Sequence, residues 1–282
     1  YGLSIINSHL LKGATIILTD ATLMEKRFWE GIKNNDATTF GGVPYLYEML
    51  EKLRFERINL PSLKYITQAG GKLDQRISEK FSDICADKGI KFFRMYGQTE
   101  ATSRMSYLPW ENARTKVNSI GKAIPGGDFW IEDDNGNIIE ESDKTGELAY
   151  RGDNVTLGYA KSYLDLGKGD ENKGVLLTGD IAKRDEDDFY YIVGRKKRFL
   201  KMLGNRVNLD EIEQIITAFG FDCACDGTDD NLKIYITQPD NENKVLSYIA
   251  KCTGINRNRF ILVNIDKFPR NDSGKVQYSA LK

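Results

Sequence analysis

The sequence predicts an α/β protein: a parallel α/β subdomain, then a β-rich subdomain, then a small α+β C-terminal domain. Three observations carry this. From Tyr1 to about Met105, strand-like runs alternate with segments of helical period, the pattern of a parallel sheet with connecting helices. From about Ser119 the pattern shifts to short strands and turns, and past Gly194 it shifts again to a compact mixture of helices and strands. At about 150 residues per domain, a chain of 282 residues accommodates more than one folded unit. The expected divisions are 1–118, 119–196 and 197–282, the last a mobile small domain.

Taken in order, Ala14 to Leu18 is a short apolar run and Leu23 to Lys33 is helix-like. Ala37 to Phe40 reads as a strand closing at Gly41-Gly42, Val43 to Leu53 as helix, Leu63 to Thr67 as strand, Asp74 to Asp87 as helix and Lys91 to Met95 as strand. In such a sheet, function lies in loops beyond the strand ends. Two loops qualify: Ala69-Gly70-Gly71-Lys72 and Tyr96-Gly97-Gln98-Thr99-Glu100. In the second subdomain Asp128 to Glu132, Ile138-Ile139, Glu147 to Arg151 and Phe189 to Val193 are strand-like. Asp134-Asn135-Gly136-Asn137 carries the Asn-Gly hairpin signal, in which both central positions favour positive φ. In the third, Phe199 to Leu203 and Val207 flank Gly204, Leu209 to Ala218 is helical, Leu232 to Thr237 a strand, Lys244 to Cys252 helical and Phe260 to Ile265 a strand.

Lys plus Arg (40) and Asp plus Glu (41) nearly cancel, so no global field draws nucleic acid or an anionic membrane, and binding sites must be local. The longest basic run, Arg195-Lys196-Lys197-Arg198, lacks the aromatic interleaving of a nucleic-acid surface. The four cysteines show neither zinc spacing nor a disulfide framework, which suits a reduced cytoplasmic protein. Cys223 and Cys225 are read as facing opposite sides of a strand and poorly placed to share a ligand. The one histidine, His9, falls in an apolar helical stretch and is read as structural. No apolar run approaches the roughly 20 residues of a membrane span. The chain opens at Tyr1 without a signal-peptide pattern and looks cut from something longer.

Tyr96 through Glu100 follows an apolar strand with an aromatic face, a flexible backbone, a hydroxyl and a carboxylate. That set suits a nucleotide, with Glu100 available to Mg²⁺; the simpler alternative is a turn with an exposed Glu. Thr178-Gly179-Asp180 follows Val175-Leu176-Leu177, which puts Asp180 just past a strand end. A carboxylate there can accept both ribose hydroxyls, or simply close a turn. The charged block Arg195 to Arg198 suits a hinge, because exposed, long-stemmed residues tolerate altered φ and ψ. Pro269 through Lys275 is a polar loop in which Gly274 turns sharply and Lys275 projects as a phosphate or carboxylate ligand, or is merely solvated.

In their order these elements resemble the adenylate-forming superfamily of acyl-CoA synthetases, luciferase and adenylation domains. The matching run is Ala69-Gly70-Gly71, Tyr96 to Glu100, Gly146-Glu147-Leu148, Gly158-Tyr159, Thr178-Gly179-Asp180, Gly194-Arg195, Gly204-Asn205-Arg206 and Pro269 through Lys275. The resemblance spans essentially Tyr1 to Lys282. It implies an ATP-dependent ligase that uses Mg²⁺ to activate a small-molecule carboxylate. The acyl group then passes to coenzyme A or to the phosphopantetheine arm of an acyl carrier protein. By position it implies that Gly70 and Gly71 line the adenine slot, with Tyr96 against the base and Gly97 and Gln98 beside the nucleotide. Thr99 would contact the α-phosphate, Glu100 would bind Mg²⁺, and Asp180 and Arg195 would hold the ribose. Lys275 would bridge nucleotide and carboxylate, Lys197 would be the hinge, and the segment around Gly204 would face the thiol channel.

The family's Ser/Thr/Gly-rich phosphate loop is missing from this sequence, and in the family it lies well before the position of Tyr1. The expectation is therefore a C-terminal portion, inactive alone, of an enzyme whose acyl specificity stays open. Phe40 to Tyr47 and Gln68 to Gly71 remain as candidate acyl-pocket lining, with Gly41-Gly42 leaving room that Tyr45 and Tyr47 could fill. A non-catalytic nucleotide-binding or scaffold homologue is the rival, though a scaffold has no physical need for Lys275, Asp180, Arg195 and Glu100 together. A dehydrogenase-like protein is disfavoured because no Gly-x-Gly-x-x-Gly follows a strand.

Overall fold

The computed structural model describes residues 1–202, 205–238, 241–270 and 276–281, so Gly204 and Lys275 lie outside the described residues. The chain forms two compact units, Tyr1–Thr178 with Ala182–Ile192, and Gly179–Ile181 with Val193–Lys282.

The first unit begins with helix α1 (Gly2–Leu11), which buries none of its residues, and α2 (Lys26–Asn34). The apolar run at residues 14–18 enters no helix or strand. Strand β1 (Thr39–Gly42), helix α3 (Pro44–Lys52), β2 (Tyr65–Gln68), helix α4 (Gln75–Asp87) and β3 (Lys91–Tyr96) then alternate as expected, with β1, β2 and β3 parallel. Pro44 occupies the first turn of α3, where its missing N–H goes unused. Asp74 caps α4 by accepting from the Ile77 N–H at 3.2 Å. The apolar faces of α3 and α4 supply Tyr47, Leu50, Ile77, Phe81 and Ile84 to a core closed by Phe55, Ile66 and Phe92. Parallel pairing brings the loops after β1, β2 and β3 out at one end of the sheet. Strands β4 (Ser106–Leu108) and β5 (Lys122–Ala123) extend the sheet antiparallel, giving the order β1-β2-β3-β4-β5.

A second sheet follows, in the order β6 (Asp128–Glu132), β7 (Gly146–Arg151), β8 (Val175–Arg184) and β9 (Tyr190–Arg195). The turn after β6 differs from the expected one. Gly136 alone of the turn has positive φ, +82°, and its N–H donates to the Asp133 carbonyl at 3.1 Å, so Asp134 and Asn135 are the central residues. Asp133 explains this, because its carboxylate accepts from the N–H groups of Asn135 and Asn137 at 2.8 Å each and stabilises the ordinary turn with a trailing glycine. Ile138 makes one isolated bridge, to Glu132, rather than a strand.

The second unit holds a hairpin of β10 (Phe199–Met202) and β11 (Asn205–Asn208), helix α5 (Leu209–Ala218), β12 (Cys223–Thr228), β13 (Asn231–Ile236), helix α6 (Glu242–Thr253) and β14 (Phe260–Asn264). The β12-β13 pair is antiparallel and the β13-β14 pair parallel. Cys223 and Cys225 lie in the same core cluster with Ile212, Ile216 and Ile234, while Ala224 joins Tyr235 and Phe268 in another. This corrects the opposite-face reading: the pleat repeats every two residues, so positions two apart share a face. Both thiols are buried, and burial holds that of Cys225 well above the ordinary range.

Candidate nucleotide site

In the first unit, β3 delivers Tyr96 to the end of the sheet and the chain then doubles back. Ser103 N–H donates to the Gln98 carbonyl at 2.9 Å, and Met105 N–H to the Tyr96 carbonyl at 2.9 Å. A Cβ on Gly97 would stand 2.5 Å from the Ser103 carbonyl carbon and oxygen, so the fold-back needs glycine there. The Tyr96 ring is half-buried, 6.3 Å from the centre of Phe129, and its hydroxyl accepts from Gln98 Nε2 at 3.3 Å. That amide also donates to the Thr178 carbonyl at 2.9 Å.

Thr99 is exposed and Glu100 half-buried in a single 3₁₀ turn, Thr99–Ala101. Three residues of the 152–159 segment hold that turn. Asn154 Nδ2 donates to the carbonyls of Ala101 and Arg104 at 2.8 and 3.0 Å, Thr156 N–H to the Glu100 carbonyl at 2.8 Å, and the Tyr159 hydroxyl to Glu100 Oε1. The carboxylate holds the Tyr159 proton and raises its pKa. Mg²⁺ commonly takes one or two protein carboxylates and completes its shell with water and phosphate, so Glu100 with a hydroxyl beside it fits such an ion. Asn154 was missed in the sequence, where nothing local distinguishes it from a turn residue.

The two glycine loops lie against each other. Gly70 has φ +80°, and Cβ atoms on Gly70 and Gly71 would stand 3.1 Å from Val43 Cγ1 and Pro44 Cγ. Gln68, buried at the end of β2, donates to the Gly71 carbonyl at 2.8 Å and fixes the turn. Both glycines are exposed, giving a thin backbone ledge suited to a flat ring. The space expected beside Gly41 is filled from an unforeseen direction. The Tyr1 and Thr67 hydroxyls, 2.8 Å apart, would stand 2.7 and 2.5 Å from a Cβ there. Tyr47 instead points into the core with its hydroxyl on the Thr67 carbonyl at 2.7 Å, and Tyr45 is exposed.

In the second unit, Asp180 is not past a strand end. Strand β8 runs on to Arg184, because Gly179, at φ +68°, bends the strand instead of ending it. The Asp180 side chain is 3% exposed and meets Arg195 Nε at 2.8 Å, while Arg195 is 62% exposed. The two residues expected to act on one ribose are thus already paired. Gly194 packs closely against Asn208, whose Nδ2 would be 2.7 Å from a Cβ there. The charged block is only partly the exposed run expected. Lys196 and Lys197 are exposed in the 3₁₀ turn Lys196–Arg198, but the Arg198 side chain is 12% exposed, drawn inward by Asp210 and Glu213. His9 sits in α1 with Nδ1 on the Ile5 carbonyl at 2.7 Å. Among the described residues no helix is long and apolar enough to cross a membrane.

A profile described as "AMP-binding enzyme" matches residues 1–160. The chain is 29% identical to oxalate–CoA ligase of Arabidopsis thaliana over 213 residues, 74% of this chain and 40% of that protein. It is 29% identical to 2-succinylbenzoate–CoA ligase of Bacillus cereus over 219 residues, 76% of this chain and 43% of that protein. Among solved structures, O-succinylbenzoate coenzyme A synthetase (MenE) from Bacillus subtilis in complex with AMP shares the fold. Its TM-score is 0.79 at 23% identity, over 100% of this chain and 58% of that one. The chain therefore spans about 40% of the length of these curated relatives.

Proposed function

Because the chain belongs to the AMP-binding enzyme family, we propose that the whole protein carrying it is an ATP-dependent ligase. It forms an acyl-adenylate from a small-molecule carboxylate and passes the acyl group to the thiol of coenzyme A. The observation that carries this is the Tyr96–Glu100 loop, where an exposed Thr hydroxyl and a hydroxyl-supported carboxylate stand on a turn that only glycine permits.

In this reading Gly70 and Gly71 offer the adenine a backbone ledge, and Tyr96, Gly97 and Gln98 border the nucleotide. Thr99 donates to the α-phosphate, and Asp180 with Arg195 holds the ribose. Glu100, its carboxylate fixed by Tyr159, would hold Mg²⁺, which would supply positive charge to the phosphates. A carboxylate oxygen attacks the α-phosphorus, breaking the bond to pyrophosphate, and Lys275 offsets charge between nucleotide and carboxylate. The thiolate then attacks the acyl carbon and AMP departs. One pocket cannot hold Lys275 and a pantetheine arm in the same space, so the part from 197 onward turns about Lys197 between the steps, bringing the Gly204 segment to the thiol. The large domain comprises 1–118 and 119–196.

The test is ATP–pyrophosphate exchange by the whole protein with oxalate, 2-succinylbenzoate, anthranilate and a long-chain fatty acid, the acids named in its relatives. Exchange is expected with at least one, lost in Lys275→Ala and reduced about 100-fold in Glu100→Gln. Lys275→Ala should still form thioester from a supplied acyl-adenylate. Absence of exchange with all four, or equal loss of both half-reactions in Lys275→Ala, sinks the reading. Supplying free coenzyme A or a phosphopantetheine-loaded carrier protein as acceptor distinguishes the two thiols.

A further inference from the structure

Arg198 directly follows Lys197, and its guanidinium spans two separate parts of the second unit. Nε donates to Asp210 Oδ1 at 2.8 Å, Nη2 to Glu213 Oε1 at 2.5 Å and Nη1 to the Cys225 carbonyl at 2.5 Å. Its plane lies over the Tyr278 ring, 3.9 Å from the centre. Glu213 completes the circuit, since Oε1 also accepts from the Cys225 N–H at 2.6 Å and Oε2 from the Tyr278 hydroxyl at 2.9 Å. Burial pushes the Glu213 carboxyl up while these donors pull it back. Tyr278 is thus held by its ring and by its hydroxyl.

The chain around Tyr278 is anchored on both sides. Val276 bridges Arg270, Gln277 N–H donates to the Pro269 carbonyl at 2.8 Å, and Leu281 packs with Phe268, Ala224 and Tyr235. An apolar cluster of the same volume would serve stability as well as this covered ionic one. What the fork adds is direction, because a planar guanidinium donates to its partners in one arrangement only.

We infer that Arg198 and Tyr278 are positioning residues for adenylation, tying the turn at Lys197 to the segment three residues beyond Lys275 so that the two move as one piece. This rests on the proposed roles of Lys197 and Lys275. The link joins two regions 80 residues apart in sequence.

Two measurements on the whole protein test it. Tyr278→Phe keeps the ring over Arg198 and removes the bond to Glu213. Hydrogen–deuterium exchange should then quicken about tenfold both in Val276–Leu281 and in Phe199–Met202. Faster exchange in the first segment alone overturns the coupling, as does no change in either. In ATP–pyrophosphate exchange with the acids above, Tyr278→Phe and Arg198→Lys should each lower kcat about tenfold or more. The KM for ATP and thioester formation from supplied acyl-adenylate should stay within twofold of the parent. Equal loss in both half-reactions, or none in exchange, overturns the inference. Lys275→Ala run alongside separates the failures: if it abolishes exchange while the other two do not, only the inference falls. If no acid supports exchange, the functional reading falls and the hydrogen-exchange pattern alone decides the coupling.

Discussion

Around the Tyr96–Glu100 loop the fixing contacts reach backbone: amide and side-chain donors meet the carbonyls of Tyr96, Gln98, Glu100, Ala101, Arg104 and Thr178. Around Arg198 they are mostly between side chains, two carboxylates, a guanidinium and a phenol. The first arrangement constrains where a Cβ can exist, and the second constrains which charges can exist. A glycine is therefore the vulnerable residue in one region and an arginine in the other. The difference suits their proposed tasks, since a ledge for a flat base needs thin backbone, whereas a piece that turns needs side chains that lock its parts together.

The largest expected effect is in the ionic region. Arg198→Ala leaves Glu213 covered beside a phenol and one backbone N–H, and breaking so covered a pair costs about 3 kcal/mol or more. A lower urea midpoint would show it, and a change below about 0.5 kcal/mol, the range of ordinary surface substitutions, would mean the cluster contributes little. Next is Gly97→Ala, where the methyl meets the Ser103 carbonyl and the loop must shift, at a cost of about 1–3 kcal/mol. AMP affinity measured by calorimetry should fall with it, and unchanged affinity would separate the loop's shape from nucleotide binding.

The smallest effect is a pH dependence in the first unit, where an ion pair lies nearer the surface. Hydrogen bonds from Arg76 and then Lys80 lower the Glu51 carboxyl to about 2. Its contribution is fully present above the ordinary carboxylate value of about 4.3 and is lost as pH falls through about 2. Arg76 is 68% exposed, so solvent screening holds the gain to about 1 kcal/mol or less. Glu51→Gln should flatten the acid limb of the stability curve between about pH 4 and 2 by that amount. An unchanged slope would show that the pair is screened out entirely.

Most elements were legible because their periodicity is strong. Helix α5 and strand β6 fall where the pattern put them, and the glycine loops appeared where strands end. Failures came where side chains overrule local pattern. Asp133 overrode the turn that Asn135-Gly136 specifies, and Gly179 bends a strand that the sequence pattern ends. Arg198 looked solvated because its partners are 12, 15, 27 and 80 residues away, and no local signal carries such distances. Tyr1 and Asn154 escaped for the same reason: their partners, Thr67 and the Ala101 and Arg104 carbonyls, are remote in sequence.

Asn208 holds two elements with the two ends of one amide. Its Nδ2 donates to the Val193 carbonyl at 3.0 Å at the end of β9, and its Oδ1 accepts from the Asp210 N–H at 3.0 Å at the start of α5. Aspartate caps helices as well as asparagine but has no donor when ionised. Chemical ageing by deamidation at this position would therefore be silent to the helix and felt by the strand next to Gly194, so that the protein's age would register first as a loosening beside its proposed ribose contact.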